Sequence, residues 1–243
     1  MSDYGLSVRN QLGDVVIDSK YRNMALLHEQ PLNVTTTNTH SISFSRVTSD
    51  APPVVALRRW TNPELFFSTV VYEGSPGNWT GVTLYFYGLN SHTSDTVWVR
   101  LYAYDLPAKP GYGMRINNDK GQLVFDSARL PLTFIKELKG RREDWEWTWG
   151  TGLSGVARRD FYKPSVWDSS INDYYLAVGL ALDLELGHVQ SGGAVFRVLV
   201  DIRWGFSAQG WPVLWQEASA YVNGPSIPGA VYYSMPSIPI IRA

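Results

Sequence analysis

The chain states one motif twice. Residues 4–30 read YGLSVRNQLGDVVIDSKYRNMALLHEQ, and residues 112–138 read YGMRINNDKGQLVFDSARLPLTFIKEL. Aligned without gaps, they share Tyr4/Tyr112, Gly5/Gly113, Asn10/Asn118, Gly13/Gly121, Val16/Val124, Asp18/Asp126, Ser19/Ser127 and Glu29/Glu137. That is 8 of 27 positions, where average residue usage would give roughly two by chance. Apolar character is kept as well, at Leu6/Met114, Val8/Ile116, Val15/Leu123 and Ile17/Phe125. A repeated unit without a reactive residue argues for architecture before chemistry.

Each copy reads as a β-hairpin. Tyr4, Leu6 and Val8 alternate with Gly5, Ser7 and Arg9, as Tyr112, Met114 and Ile116 alternate with Gly113, Arg115 and Asn117. Successive strand side chains point to opposite faces, so the apolar set falls on one side. Between the strands lie Asn10-Gln-Leu-Gly13 and Asn118-Asp-Lys-Gly121. Asn opening a type I turn, with Gly closing it in the left-handed conformation, fixes the loop and with it the strand register. Asp18-Ser19 and Asp126-Ser127 then end the return strands, their short oxygens bonding backbone just ahead. This turn reading is preferred over a carboxylate site because no second acid or His keeps company with either pair.

At 243 residues the chain has room for one large β domain or two small ones. The clearest strands outside the repeat are 65–72 (LFFSTVVY), 80–87 (TGVTLYFY), 96–104, 174–186 and 194–204, with one more at 213–222. The last pair but one echoes 80–87 and 96–104 in position, so the repeat extends in outline over whole units. Many short strands between Gly/Pro turns, with no three-turn amphipathic helix, predict an all-β chain. The expected architecture is two tandem sandwich or jelly-roll-like units, 1–108 and 109–243, each opening with a hairpin. The prolines after Asn223 are expected to forbid a central strand and to run extended along a surface.

Reactive chemistry is sparse. With no cysteine, disulfides and thiolate metal sites are excluded. His28, His40, His92 and His188 do not pair at metal-ligand spacing, and no GxSxG, HExxH or phosphate-cradling loop is present. No metal and no cofactor are expected. Formal net charge is −1, with no basic excess to hold nucleic acid. The first residues lack the basic and apolar regions of a signal peptide, and no apolar run approaches the ~20 residues of a membrane span. The chain is therefore expected to fold in a cytoplasm. Charged residues are only 18 % while aromatics are 14 %, including 10 Trp, which suits a surface lying against other protein or offering flat rings to a ligand.

Candidates for saccharide or protein contact are Trp79 and Trp167, both beside loop residues, and Trp145, Trp147 and Trp149, which alternate along one strand. Trp60, Trp98, Trp211 and Trp215 are further indoles, most of them expected to fill a core or an interface. Asp144 and Glu146 beside those tryptophans have the composition of a glycosidase site. On a strand, however, the acids would face away from the indoles, and no catalytic residue is assigned.

The pattern Tyr-Gly-Leu-x-Val-x-Asn-x-x-Gly-x-x-x-x-Asp-Ser, carried by Tyr4, Gly5, Leu6, Val8, Asn10, Gly13, Asp18 and Ser19, resembles small virion proteins of tailed bacteriophages encoded among the tail-tip and fibre genes. The second copy matches at Tyr112, Gly113, Met114, Ile116, Asn118, Gly121, Asp126 and Ser127. The resemblance covers about a quarter of the chain and has no catalytic residues to carry over. It implies a non-enzymatic part of the tail tip, baseplate or fibre, located in the virion. Expected partners are other tail proteins, further copies of the chain in three-fold or six-fold arrangement, and the host surface. A carbohydrate-binding module is the alternative, and a glycoside hydrolase the third reading.

Overall fold

A computed structural model describes residues 7–9, 15–18, 22–35, 39–89, 93–138, 145–153, 157–164, 173–177, 188–191, 194–209, 211–221 and 238–241. These form strands and turns without a helix. The strands are β1 (Ser7–Arg9), β2 (Val15–Asp18), β3 (Ala25–Thr35), β4 (Thr39–Val47), β5 (Val54–Arg58), β6 (Leu65–Ser75), β7 (Asn78–Gly88), β8 (Ser94–Ala103) and β9 (Arg115–Asn117). They continue with β10 (Leu123–Asp126), β11 (Phe134–Leu138), β12 (Trp145–Leu153), β13 (Ala157–Pro164), β14 (Tyr174–Leu176), β15 (His188–Ser191), β16 (Ala194–Phe206), β17 (Pro212–Tyr221) and β18 (Ile238–Ile241).

Two antiparallel sheets pack face to face. One runs β11-β18-β14-β5-β8-β3; the other runs β12-β13-β17-β16-β6-β7-β4, with β15 paired to β16. Strand alternation places the core between them. In β8, Val97, Val99 and Leu101 are buried while Trp98 remains partly exposed; in β7, Val82, Leu84 and Phe86 are buried and Tyr85 is not. Trp60 and Trp204 stand at the centre of this core, 5.4 Å apart, with Phe67, Phe206 and Tyr175 around them. Each such fully buried side chain contributes about 1.5–3 kcal/mol of transfer free energy.

The ladders follow the sequence repeat. In the first hairpin Ser7, Val8 and Arg9 face Asp18, Ile17 and Val15; in the second Arg115, Ile116 and Asn117 face Asp126, Phe125 and Leu123. Every pair corresponds at a spacing of 108 residues, and so does the register shift before the last pair. The correspondence continues beyond the hairpins. Leu26, His28, Glu29 and Gln30 of β3 face Tyr102, Leu101, Arg100 and Val99, with a shift between Leu26 and His28. Phe134, Lys136, Glu137 and Leu138 of β11 face Ile241, Ile240, Pro239 and Ile238, with the same shift between Phe134 and Lys136. Thus β18 occupies the place of β8. One ladder further in, Val54 and Val55 face Tyr102 and Leu101 as Tyr174 and Tyr175 face Ile241 and Ile240, so β14 occupies the place of β5.

Corresponding strands then meet. β5 pairs antiparallel with β14, setting Ala56 opposite Leu176, and β6 pairs antiparallel with β16. The chain segments behind the two hairpins also cross, with Leu26 N donating to Leu130 O and Leu132 N to Met24 O, so that Met24 faces its counterpart Leu132. An antiparallel meeting of equivalents is what a local twofold axis produces. The sheets are therefore continuous across residues 108 and 109, and residues from both sides share the central core. The positional echo expected for 174–186 and 194–204 is shifted: β14 answers to β5, and β16 leads a hairpin with β17 as β6 does with β7. β13, inserted between β12 and β17, has no counterpart between β4 and β7.

One expectation about the C-terminal prolines is overturned. β18, which contains Pro239, lies inside the six-stranded sheet between β11 and β14. β14 is short and reaches only Ile240 and Ile241, so Pro239 is laddered to β11 alone, opposite Glu137. The missing N–H meets no partner strand on its other side. The remaining prolines after Asn223 lie outside the described residues.

Candidate contact surface

The second hairpin is a two-stranded ribbon that joins neither large sheet. Its turn is closed by Gly121 N donating to Asn118 O at 3.0 Å, with Gly121 at φ +75°. The Asn118 side-chain oxygen accepts from Lys120 N at 3.0 Å and Gln122 N at 2.9 Å. Placing a β-branched side chain at that left-handed φ costs about 1–2 kcal/mol. Gly121→Val should accordingly speed hydrogen exchange at the Gln122 amide about tenfold or more, with little change at core amides; unchanged exchange would show that the turn does not hold the ribbon. Asn10 and Gly13 of the first copy lie outside the described residues.

The base of the ribbon is tied down by the shared Asp and Ser. Asp126 is buried and accepts from Lys109 N at 2.8 Å and Ala128 N at 2.9 Å. These two bonds, more than the nearby Arg115 and Arg129 charges, hold its carboxyl below the usual aspartate range. Ser127 Oγ accepts from Met114 N at 2.8 Å, and a side chain at Gly113 would run into that Oγ at 2.5 Å. Val124 is buried. Each of these residues shared by the copies has a structural task. Tyr112 has none within the fold: its ring is fully exposed, beside half-exposed Met114.

Glu29, Arg100 and Tyr174 link the two halves on the outer face of the six-stranded sheet. Arg100 Nε and Tyr174 Oη each donate to Glu29 Oε1 at 2.8 Å, and the guanidinium lies 4.2 Å from the Tyr174 ring centroid. Partial burial pushes the Glu29 carboxyl up, but the two hydrogen bonds and the Arg100 and Arg58 charges outweigh it and hold it below the ordinary glutamate range. A depressed carboxylate contributes stability above its unfolded pKa and loses it as pH falls through the folded value. The stability difference between wild type and Glu29→Gln should therefore be full at neutral pH and shrink as pH drops below about 4.3. Urea titrations at pH 7 and pH 3.5 measure it; a difference independent of pH would show that the carboxylate charge contributes nothing. Tyr174, buried and donating to Glu29, has its hydroxyl pushed well above the ordinary range.

The tryptophans distribute differently from the sequence expectation. Trp79, expected to be exposed beside a loop, is only 9 % exposed; its Nε1 donates to Ser49 O at 3.0 Å and its ring lies edge-on to Tyr72. It plugs one end of the sandwich with Val47, Ala103 and Leu106, because the tight turn at Gly74–Gly77 folds β7 back over that end. Trp145, Trp147 and Trp149 lie on the outermost strand β12, where a register shift between Trp147 and Trp149 interrupts strict alternation. Their side chains, and all of Trp167, lie outside the described residues.

The sequence reading missed a cleft of about 650 Å³ at the opposite end, lined by Phe66, Leu89, Trp211 and Val213 with Glu64 and Lys163 at its sides. The Lys163 ammonium lies 4.9 Å from the Trp211 ring centroid. Its signal was the run Leu65-Phe66-Phe67: in a strand, Leu65 and Phe67 face the core, so Phe66 must face outward.

Among the described residues no group of His, Asp and Glu could hold a metal ion, and there is no helix long and apolar enough to cross a membrane. No family model, curated protein or solved structure matches the chain.

Proposed function

We propose that this chain is a non-enzymatic structural component of a phage tail tip, baseplate or tail fibre, made in the bacterial host cytoplasm and working by contact with neighbouring tail proteins and the host surface. The observation that carries the reading is the paired ribbon. In the second copy the residues of the pattern that resembles virion proteins are spent on turn, anchor and register, leaving Tyr112 exposed. A protein whose repeated motif shapes a surface is suited to assembly. Immunogold labelling of intact particles with antibody to this chain should decorate the tail end; absence of the chain from purified particles would overturn the reading.

The Trp211 cleft favours a second reading, saccharide binding, since an indole beside polar side chains suits a sugar ring. Isothermal titration with host polysaccharides tests it: saturable heat that Trp211→Ala abolishes supports the module, and no heat removes it.

A further inference from the structure

The two large sheets end in four strands, β3 and β11 in one and β4 and β12 in the other. An edge strand offers unpaired backbone N–H and C=O groups to any strand that meets it, and charged residues or proline are the common guards against this. Three of the four edges carry them: β3 has exposed Glu29 and Pro31, β11 has Lys136 and Glu137, and β12 has Glu146. β4 does not. From Thr39 to Ser45 it reads THSISFS, without an acid, a Lys, an Arg or a proline. The first charge, Arg46, is turned back onto its own chain and donates to Gly77 O at 3.1 Å. Among the described strands β4 pairs with β7 alone, and its register shift falls past Ser43. The second half has β13 and β12 outside β17, where the first half has only β4 outside β7. One more strand fits there.

The order of side chains along β4 points to the occupant. Outward from Ile42 the strand reads nearly the same in both directions, with Ser41 and Ser43, His40 and Phe44, Thr39 and Ser45 at matching distances. We infer that β4 pairs antiparallel with β4 of a second copy, about a twofold axis at Ile42. Opposed residues then match. On the exposed face Thr39 and Ser41 of one copy meet Ser45 and Ser43 of the other, hydroxyl to hydroxyl, a stabilising cross-strand pair. They extend a row that already begins with Ser41 Oγ and Thr83 Oγ1, 2.8 Å apart. On the core side buried Ile42 meets its own copy, and His40, edge-on to Phe86, meets Phe44. No charge is buried and no like charges face each other. Such a contact is isologous and closes at two copies. A strand of another sequence would find the same open backbone without this side-chain match. The pairing stands on β4 alone and does not depend on where in a particle the chain works.

Sedimentation velocity on the full chain tests the pairing. Wild type should pass from monomer to dimer with rising concentration and respond little to salt, because the opposed strands carry no charge. Two double variants, Ser41→Lys with Ser43→Lys and Ser41→Glu with Ser43→Glu, change exposed positions and should melt close to wild type. Each sets like charges against each other across the twofold and should weaken self-association about tenfold or more. Mixed in equal amounts the two should form a heterodimer, which high salt weakens. Hydrogen exchange on wild type reads the same contact without a variant: amides within 39–45 should slow as concentration rises, while those of β3 stay unchanged. A wild type that is monomeric at every concentration would overturn the pairing. So would a double-lysine variant that dimerises like wild type, a mixture that stays monomeric, or β4 amides that exchange alike in monomer and dimer. The chain's presence at the tail end of particles is read separately by the labelling experiment, so either conclusion can fail without the other.

Discussion

Trp204→Ala should lower stability by about 3–5 kcal/mol, a large part of what holds a typical domain folded. Trp204 belongs to β16, yet its ring is 5.4 Å from Trp60 and 5.6 Å from Phe67, both contributed by the first 108 residues. Tyr175 at 5.9 Å and Phe206 at 5.8 Å complete the cluster. Alanine leaves a cavity that aromatic neighbours held by four different segments cannot jointly fill. For a chain of this length the melting temperature should fall by about 10 °C or more. The form of the transition is as informative as its midpoint. With one shared core, wild type and variant should each unfold in a single step, and calorimetric and van't Hoff enthalpies should agree. A thermogram in which Trp204→Ala shifts one transition and leaves a second in place would mean that the halves fold separately. Trp98→Ala is the control: its ring is 39 % exposed on the outer face, and the loss should be below about 1 kcal/mol.

What was legible in the sequence is what short-range rules govern. The Asn118–Gly121 turn follows from a left-handed glycine three residues after an Asn. Strands β7 and β8 follow from alternation, and the all-β sandwich follows from many such strands. Illegible were the features set by which strand ends where. Pro239 is admissible in an interior strand only because β14 stops short of it. Trp79 is buried although loop residues flank it, because burial depends on the fold-back of a distant turn. The 108-residue repeat was readable in 27 positions, where shared turn chemistry preserved identities. Past Leu138 the spacing changes and only the ladders carry the correspondence: Val55 and Tyr175 hold the same place while sharing no side-chain type. The pairing of β5 with β14 and β6 with β16 joins residues more than a hundred positions apart, and no local pattern announces such a partner. The cleft beside Trp211 was foreshadowed only by consecutive apolar residues at 65–67, a pattern that says both faces of a strand are covered without saying by what.

Gly205→Ala should disrupt the seam between the halves in the larger sheet. Gly205 faces Phe66 in the β6–β16 ladder, and a methyl group there would lie 2.6 Å from Leu65 O and 3.0 Å from the Phe66 ring. The obstacle is backbone, which cannot swing aside as a side chain end can. Leu65 O also accepts the hydrogen bond from Trp60 Nε1 at 2.9 Å, so displacing it strains the central indole as well. Overpacking of this kind costs about 1–3 kcal/mol, and weakening the buried indole bond adds about 1 kcal/mol. Gly205→Val should be worse, because its branches add bulk against the same carbonyl. Gly81→Ala provides the contrast: its nearest obstacle is the Glu73 carboxylate at 2.4 Å, a flexible group that can move, so its loss should be much smaller. If chemical denaturation gives Gly205→Ala the stability of wild type, β6 and β16 do not meet as closely as the ladder requires. If the loss appears and Gly205→Ala and Trp204→Ala together cost less than the sum of their separate effects, the seam and the core act as one unit, as adjacent residues on a shared strand should.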